Sequence, residues 1–233
     1  MFVTIFDQAY ADWGSMLLSS LMRFHPGDTV VVLGIDLSAE TECAIARMHE
    51  IVAVRRLTLD EVGSGRAAKV ANSRPLWLRD LKNEFSPDWM FLLDADLLFR
   101  RPVNDLIAAS ENHDVVLAMR EGVYRGKTYR KLRVASGFVL FWRSGYGLID
   151  SWCDMLSRTE SIEDVRPWEW FWEQTCLLDA IEETEFDILK MPEKCLSSPR
   201  FEPDAWVWSA NVPTSEKDAA LKLFAAELMA LHK

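Results

Sequence analysis

Unbroken apolar runs, rather than alternating ones, mark the strands of this chain. Phe2 to Phe6, Thr29 to Ile35, Ile51 to Val54 and Trp89 to Leu93 each read as a short strand buried on both faces. Helical spacing fills the intervals. It runs from Ser15 to Phe24, where His25-Pro26-Gly27 stops it, from an N-cap at Ser38 to about Glu50, and from Leu76 to Phe85. The second half adds apolar stretches at Val115 to Met119 and Gly137 to Trp142, helical patterns over Leu148 to Leu156 and Trp172 to Ile181, and a short strand at Phe186 to Leu189. In the tail from Lys217 to Leu231, Leu221, Phe224, Leu228 and Leu231 recur at steps of three and four and predict an amphipathic helix laid on the core or on a partner. Strands alternating with helices in this way predict an α/β fold, a central, mostly parallel mixed sheet flanked by helices.

At 233 residues the chain has the length of one domain. With 49% apolar residues, 10 Trp and 12 Phe, it can bury a sizeable core. A net charge of −10 disfavours non-specific binding to nucleic acid or anionic membrane and favours small or neutral ligands. No apolar run approaches the ~18 to 20 residues of a membrane span. The start of the chain does not read as a secretory leader, and Cys43, Cys153, Cys176 and Cys195 stand far apart. Reduced thiols in a cytoplasmic protein are the expectation. The histidines are equally isolated, so zinc is not expected.

The segment WMFLLDADLLFRRPVNDL carries the chemistry, through Asp94 and Asp96. A bare D-x-D triplet arises about once by chance in such a chain, so its context decides. Here the pair ends a buried strand, at the carboxyl edge where open α/β sheets place ligands, and alternation along a strand would put both side chains on one face. Two acids there are costly unless paired. A hard divalent cation, Mn²⁺ or Mg²⁺, would resolve that cost while gathering phosphate oxygens. The alternatives are a surface turn or a pair capped by Arg100 and Arg101.

FLLDADLLFRRPVNDL resembles the D-x-D segment of glycosyltransferases with the type A fold, in particular the family-eight group of glycogenin and the lipooligosaccharide galactosyltransferases. Three further stretches are similar to that group in the same order: TIFDQAYADWGSMLLSSLMRFHP, VASGFVLFW and WEQTCLLDAI. The resemblance implies a single nucleotide-diphospho-sugar transferase domain over 1–233, its amino half (about 1–110) binding the donor and its carboxyl half (about 111–233) shaping the acceptor side. It implies that Asp94 and Asp96 hold a metal and the diphosphate of a nucleotide sugar, a uridine diphosphate sugar first. It further implies that Asp7 and Tyr10 receive the base and ribose, that Lys69 and Arg74 lie against the donor, that Ser136 and Gly137 face the sugar, and that Glu173 and Gln174 lie nearest the anomeric carbon with retention of configuration. Two departures stand out. The group's Asn before its Ala-Gly pair is Ala135 here, and its late metal-binding His is missing from VWSANVPTSEK, leaving Asn211, Ser209 or water as the third ligand, or a weakly bound metal.

Trp168, Trp170 and Trp172 crowd one segment and offer flat faces to sugar rings, or fill the core. Six basic residues (Arg120, Arg125, Lys127, Arg130, Lys131, Arg133) form either a solvated loop or a lid that grips an anionic acceptor, nucleic acid included, or the donor's phosphates. Two other readings share the fold: a non-catalytic sugar- or nucleotide-binding module, and a sugar-phosphate nucleotidyltransferase. The latter opens with a Gly-rich loop after its first strand, and Phe6-Asp7-Gln8-Ala9-Tyr10 has none.

Overall fold

The computed structural model describes residues 1–48, 52–57, 65–124, 127–129, 132–158, 169, 171–210, 212 and 214–231. In chain order the strands and α-helices are β1 (Phe2–Asp7), α1 (Ala11–Phe24), β2 (Val30–Ile35), α2 (Ala39–Ala46), β3 (Val52–Leu57), α3 (Arg66–Phe85), β4 (Trp89–Asp94), β5 (Leu97–Phe99), α4 (Asn104–Ala109) and β6 (Val115–Met119). There follow β7 (Val123–Tyr124), β8 (Lys127–Thr128), β9 (Val134–Trp142), α5 (Tyr146–Leu156), α6 (Trp172–Glu182), β10 (Ile188–Lys190), β11 (Leu196–Ser197), β12 (Val207–Ser209) and α7 (Lys217–Leu231). Seven strands hydrogen-bond in the order β10-β6-β9-β4-β1-β2-β3, three in the order β11-β12-β5, and β7 pairs with β8. The apolar runs at the start of the chain are the parallel strands β1, β2 and β3, and all six residues of β2 are buried. Among the described residues no helix is long and apolar enough to cross a membrane.

The chain forms two compact units, Met1–Thr58 with Leu93–Ala108 and Pro192–Lys233, and Leu59–Leu92 with Ala109–Met191. In the first, β1, β2 and β3 run parallel with Phe2 opposite Val30 and Val30 opposite Val52. Ser38 caps α2 as its sequence predicts, its Oγ accepting the Thr41 amide at 3.1 Å. Helix α1 begins four residues before the predicted start, because the short 3₁₀ turn Gln8–Tyr10 feeds directly into it. The predicted tail helix, α7, buries Phe224 among Trp13, Leu98, Ala205, Trp208 and Ala210. The Phe224 ring meets Trp13 edge-on with centroids 5.4 Å apart.

In the second unit β9 pairs antiparallel with β6, and β10 parallel with β6. The β6–β9 register shifts: Leu117 opposes Val139, yet Ala118 opposes Ala135, so β9 carries extra residues around Ser136. Helix α3 extends ten residues upstream of the predicted start and runs through Pro75. Proline removes one ladder donor there, which a twenty-residue helix tolerates when its neighbours hold it.

His25, behind α1, is buried between the edges of Phe2 and Phe99. Its Nε2 accepts the Val103 amide at 3.1 Å, so the neutral ring carries its proton on Nδ1, facing Asp28 Oδ2 at 3.2 Å. Burial lowers its pKa below the ordinary histidine value, against the opposing pull of Asp28. The unfolded chain therefore takes up the proton first. The stabilisation is complete above the unfolded pKa of about 6.5 and is lost as pH falls below it. Denaturant midpoints should fall from pH 7.5 to pH 5.5, and His25→Gln should flatten that slope; an unchanged slope in the variant would exclude His25 as its source.

Candidate functional site

The sequence-predicted residues gather into two constellations, one in each unit. In the first unit Asp7 ends β1, and its Oδ1 accepts the Ala9 amide at 3.1 Å, capping the turn that presents Tyr10, 37% exposed. Gln8 fixes this turn to the start of α2, with Oε1 accepting the Ser38 amide at 2.8 Å and Nε2 donating to Thr41 Oγ1. Asp94 is the last residue of β4, but Ala95 and Asp96 form a turn before β5. Strand alternation therefore does not relate the two carboxylates. Asp96 is set instead by its own carbonyl, which accepts the Ala210 amide at 3.0 Å just beyond β12.

A residue the sequence reading treated only as a helix start completes this group. Lys217, the first residue of α7, donates from Nζ to Asp96 Oδ2 at 2.5 Å and to the Ala210 carbonyl at 2.9 Å. Its ammonium lies 5.8 Å from the Tyr10 ring centroid and 5.5 Å from that of Trp13. Arg100 does not cap the acids: its Nε donates to Glu227 at 2.8 Å and its guanidinium lies 4.3 Å over Trp208.

The donor set decides whether Mn²⁺ or Mg²⁺ fits. Such an ion needs near-octahedral oxygens at about 2.1 Å, and Asp96 Oδ2 already holds an ammonium. A dication on the same oxygen would stand within about 4 to 5 Å of that charge, a repulsion of roughly 7 to 8 kcal/mol at an effective dielectric near 20. Among the described residues no group of three His, Cys, Asp or Glu side chains could hold a metal. Ser209, offered as a third ligand, ends β12; Asn211, the other, lies outside the described residues. As placed, the described residues do not form a divalent-ion site.

In the second unit, Arg74 of α3, Ser136 of β9 and Glu173 at the start of α6 form a buried cluster. Arg74 pairs with Glu173 Oε1 and also donates to Ser136 Oγ at 2.7 Å, while Ser136 donates to the same Oε1 at 2.6 Å. The Glu173 amide donates to Asn72 Oδ1 at 3.1 Å, and its carbonyl accepts Trp152 Nε1 at 2.7 Å. The register shift in β9 turns Ser136 inward to this cluster and leaves Gly137 half-buried beside it. Gln174, next on α6, is half-buried, with Oε1 3.3 Å from Ser136 Oγ. Lys69 sits on α3 upstream of Arg74, half-buried. Cys176 on α6 is buried, and its thiol is pushed up to about 12, by burial first and then by Asp179 and Glu173, so it is a neutral packing group.

Trp172 is buried at the start of α6 and fills core; Trp168 and Trp170 lie outside the described residues, as do Arg125, Arg130 and Lys131 of the basic stretch. Arg133, which is described, donates to Glu182 at 2.9 Å.

The whole chain superposes on solved structures of sugar transferases. The galactosyltransferase LgtC in complex with donor and acceptor sugar analogs matches at 13% identity and a TM-score of 0.65, covering 100% of this chain and 96% of that one. The fold is that of the type A glycosyltransferases. An active-site mutant of LgtC matches at 13% identity and 0.64, covering 97% and 95%. The bifunctional glycosyltransferase WbbM in its apo form matches at 13% and 0.60, covering 97% of this chain and 44% of that one. The sequence matches no protein-family model and no curated protein.

Because both partners of the Arg74–Glu173 pair are buried, removing one strands the other. Glu173→Leu should cost about 3 to 5 kcal/mol in chemical denaturation, and adding Arg74→Met should recover part of it. A cost below ~1 kcal/mol for the single variant would show that the pair does not hold α3 to α6.

Proposed function

We propose that this chain is a glycosyltransferase that moves a sugar from a nucleoside diphosphate sugar, a uridine diphosphate sugar first, to an acceptor hydroxyl. One observation carries the reading: the likeness to LgtC spans 100% of this chain and 96% of that one, and that structure holds donor and acceptor sugar analogs. The four sequence landmarks occur in the order expected of such an enzyme.

In this reading Asp7 and Tyr10 receive the base and ribose, and Asp94 and Asp96, the latter carrying the Lys217 ammonium, stand toward the diphosphate. Lys69 faces the donor from α3. Ser136, Gly137 and Gln174 serve the sugar, whose hydroxyls need amide and hydroxyl partners. Glu173 Oε1 is already shared by Arg74 and Ser136, so Glu173 acts as a positioning residue that orients them, and Gln174 is the group that meets the reacting sugar. The acceptor oxygen bonds to the anomeric carbon as the bond to the β-phosphate oxygen breaks, and the nucleoside diphosphate leaves with the bonding pair. Binding that strengthens as charge develops on the departing oxygen supplies the rate. The expected divalent ion enters no step. The basic stretch 120–133 suits an anionic acceptor, and four separate thiols suit a cytoplasmic setting.

A nucleotidyltransferase fits less well: after β1 this chain makes a capped 3₁₀ turn in place of a Gly-rich phosphate loop. Incubation with a panel of nucleotide sugars, following release of sugar and nucleoside diphosphate, tests the reading. A uridine diphosphate sugar should be turned over. Gln174→Ala should lower kcat by roughly 100-fold, the scale of one lost transition-state contact, while the thermal shift given by uridine diphosphate persists. Binding without turnover across the panel would identify a non-catalytic module instead.

A further inference from the structure

We propose that Lys217 takes the place of a divalent cation in this chain: its ammonium, seated on Asp96, is the resident positive charge that receives the donor's diphosphate, so donor binding needs no metal. The inference rests on the nucleotide-sugar reading, since it assigns the cation for that ligand.

The seat is built, not incidental. Lys217 Nζ is held by Asp96 Oδ2 and by the Ala210 carbonyl, at 2.5 and 2.9 Å, and lies near the Tyr10 and Trp13 rings. Both oxygens are themselves anchored, because the Ala210 amide donates to the Asp96 carbonyl and the Ser209–Leu97 pairing of β12 with β5 precedes it. The lysine is anchored from the other side, since α7 is fixed by Phe224 buried against Trp13 and Trp208. The Lys217 side chain is 23% exposed and that of Asp96 17%, so the pair is neither sealed in the core nor a loose surface bridge.

An ammonium has three N–H donors. Two are engaged by these oxygens, which leaves one for a phosphate oxygen. The site stands just past the carboxyl end of β4, where open α/β sheets receive phosphates. A dication on the Asp96 carboxylate would stand beside the ammonium that Lys217 already seats there, so the two cations compete for one carboxylate.

Calorimetric titration of uridine diphosphate into the full chain, with EDTA or with Mn²⁺, tests this, alongside the free-Mn²⁺ resonance signal as a direct measure of metal uptake. The wild-type protein should bind uridine diphosphate equally in both buffers, within about twofold. Lys217→Met should lose at least about tenfold in EDTA, recover with Mn²⁺, and take up Mn²⁺ at least about tenfold more tightly than the wild type, because it leaves Asp96 without that counter-ion. Lys217→Arg keeps the charge and should keep metal-free binding; it also serves if the methionine variant melts early. The proposal is overturned if the wild-type protein gains about tenfold or more from Mn²⁺, or if Lys217→Met binds as well as the wild type in EDTA. Absence of binding by uridine, guanosine and adenosine diphosphates in both buffers overturns the nucleotide-sugar reading together with the proposal. A metal requirement alone overturns only the role of Lys217.

Discussion

Charge brought to the end of a dry strand must be compensated, and that constraint organises both constellations of this protein. The core strands are apolar on both faces, so a carboxylate at or beside them has little water to stabilise it. Each of two acids is answered by a cation borne on a helix from a distant part of the sequence: Glu173 by Arg74 of α3, and Asp96 by Lys217 of α7. The helices are in turn held by apolar contacts, α7 by Phe224 and α6 by Trp172 together with the Trp152 hydrogen bond. Packing thus sets the position of charge, and charge sets what the polar ends can bind.

The two pairs differ in what they leave accessible. Arg74 and Glu173 lie almost wholly out of water, with Ser136 closing the triangle. Such a pair contributes little net stability, yet it fixes geometry, because neither partner can move without exposing the other to an apolar surrounding. Asp96 and Lys217 keep contact with solvent, and an ion pair in that condition can exchange partners with an incoming anion. One cluster holds an arrangement and the other can respond to a ligand.

Much of the framework was legible in the sequence because parallel strands are written as continuous apolar runs, and β1, β2, β4 and β6 all lie on such runs. The upstream half of α3 was not, because Pro75 and a polar composition hide its period. Strands β5, β11 and β12 hold two or three residues each and exist only through pairing across long sequence separations, which no local pattern records. For the site, the Asp94–Asp96 triplet was found, but its arrangement was read as strand alternation when Asp96 belongs to a turn. Lys217 is hidden because a D-x-D triplet points to a histidine as its completing ligand; the lysine heading the tail helix is the signal the sequence does carry.

Both compact units are woven from stretches that alternate along the chain. On the ribosome, the segment from Ala109 to Met191 emerges before the stretch from Pro192 onward that supplies β11, β12 and α7 to the first unit. Until those last residues appear, α1 and β5 lack the cover that Phe224, Trp208 and Ala205 provide. The unit bearing Asp96 is therefore the last to close during synthesis, and its nascent apolar face is the surface a chaperone would meet.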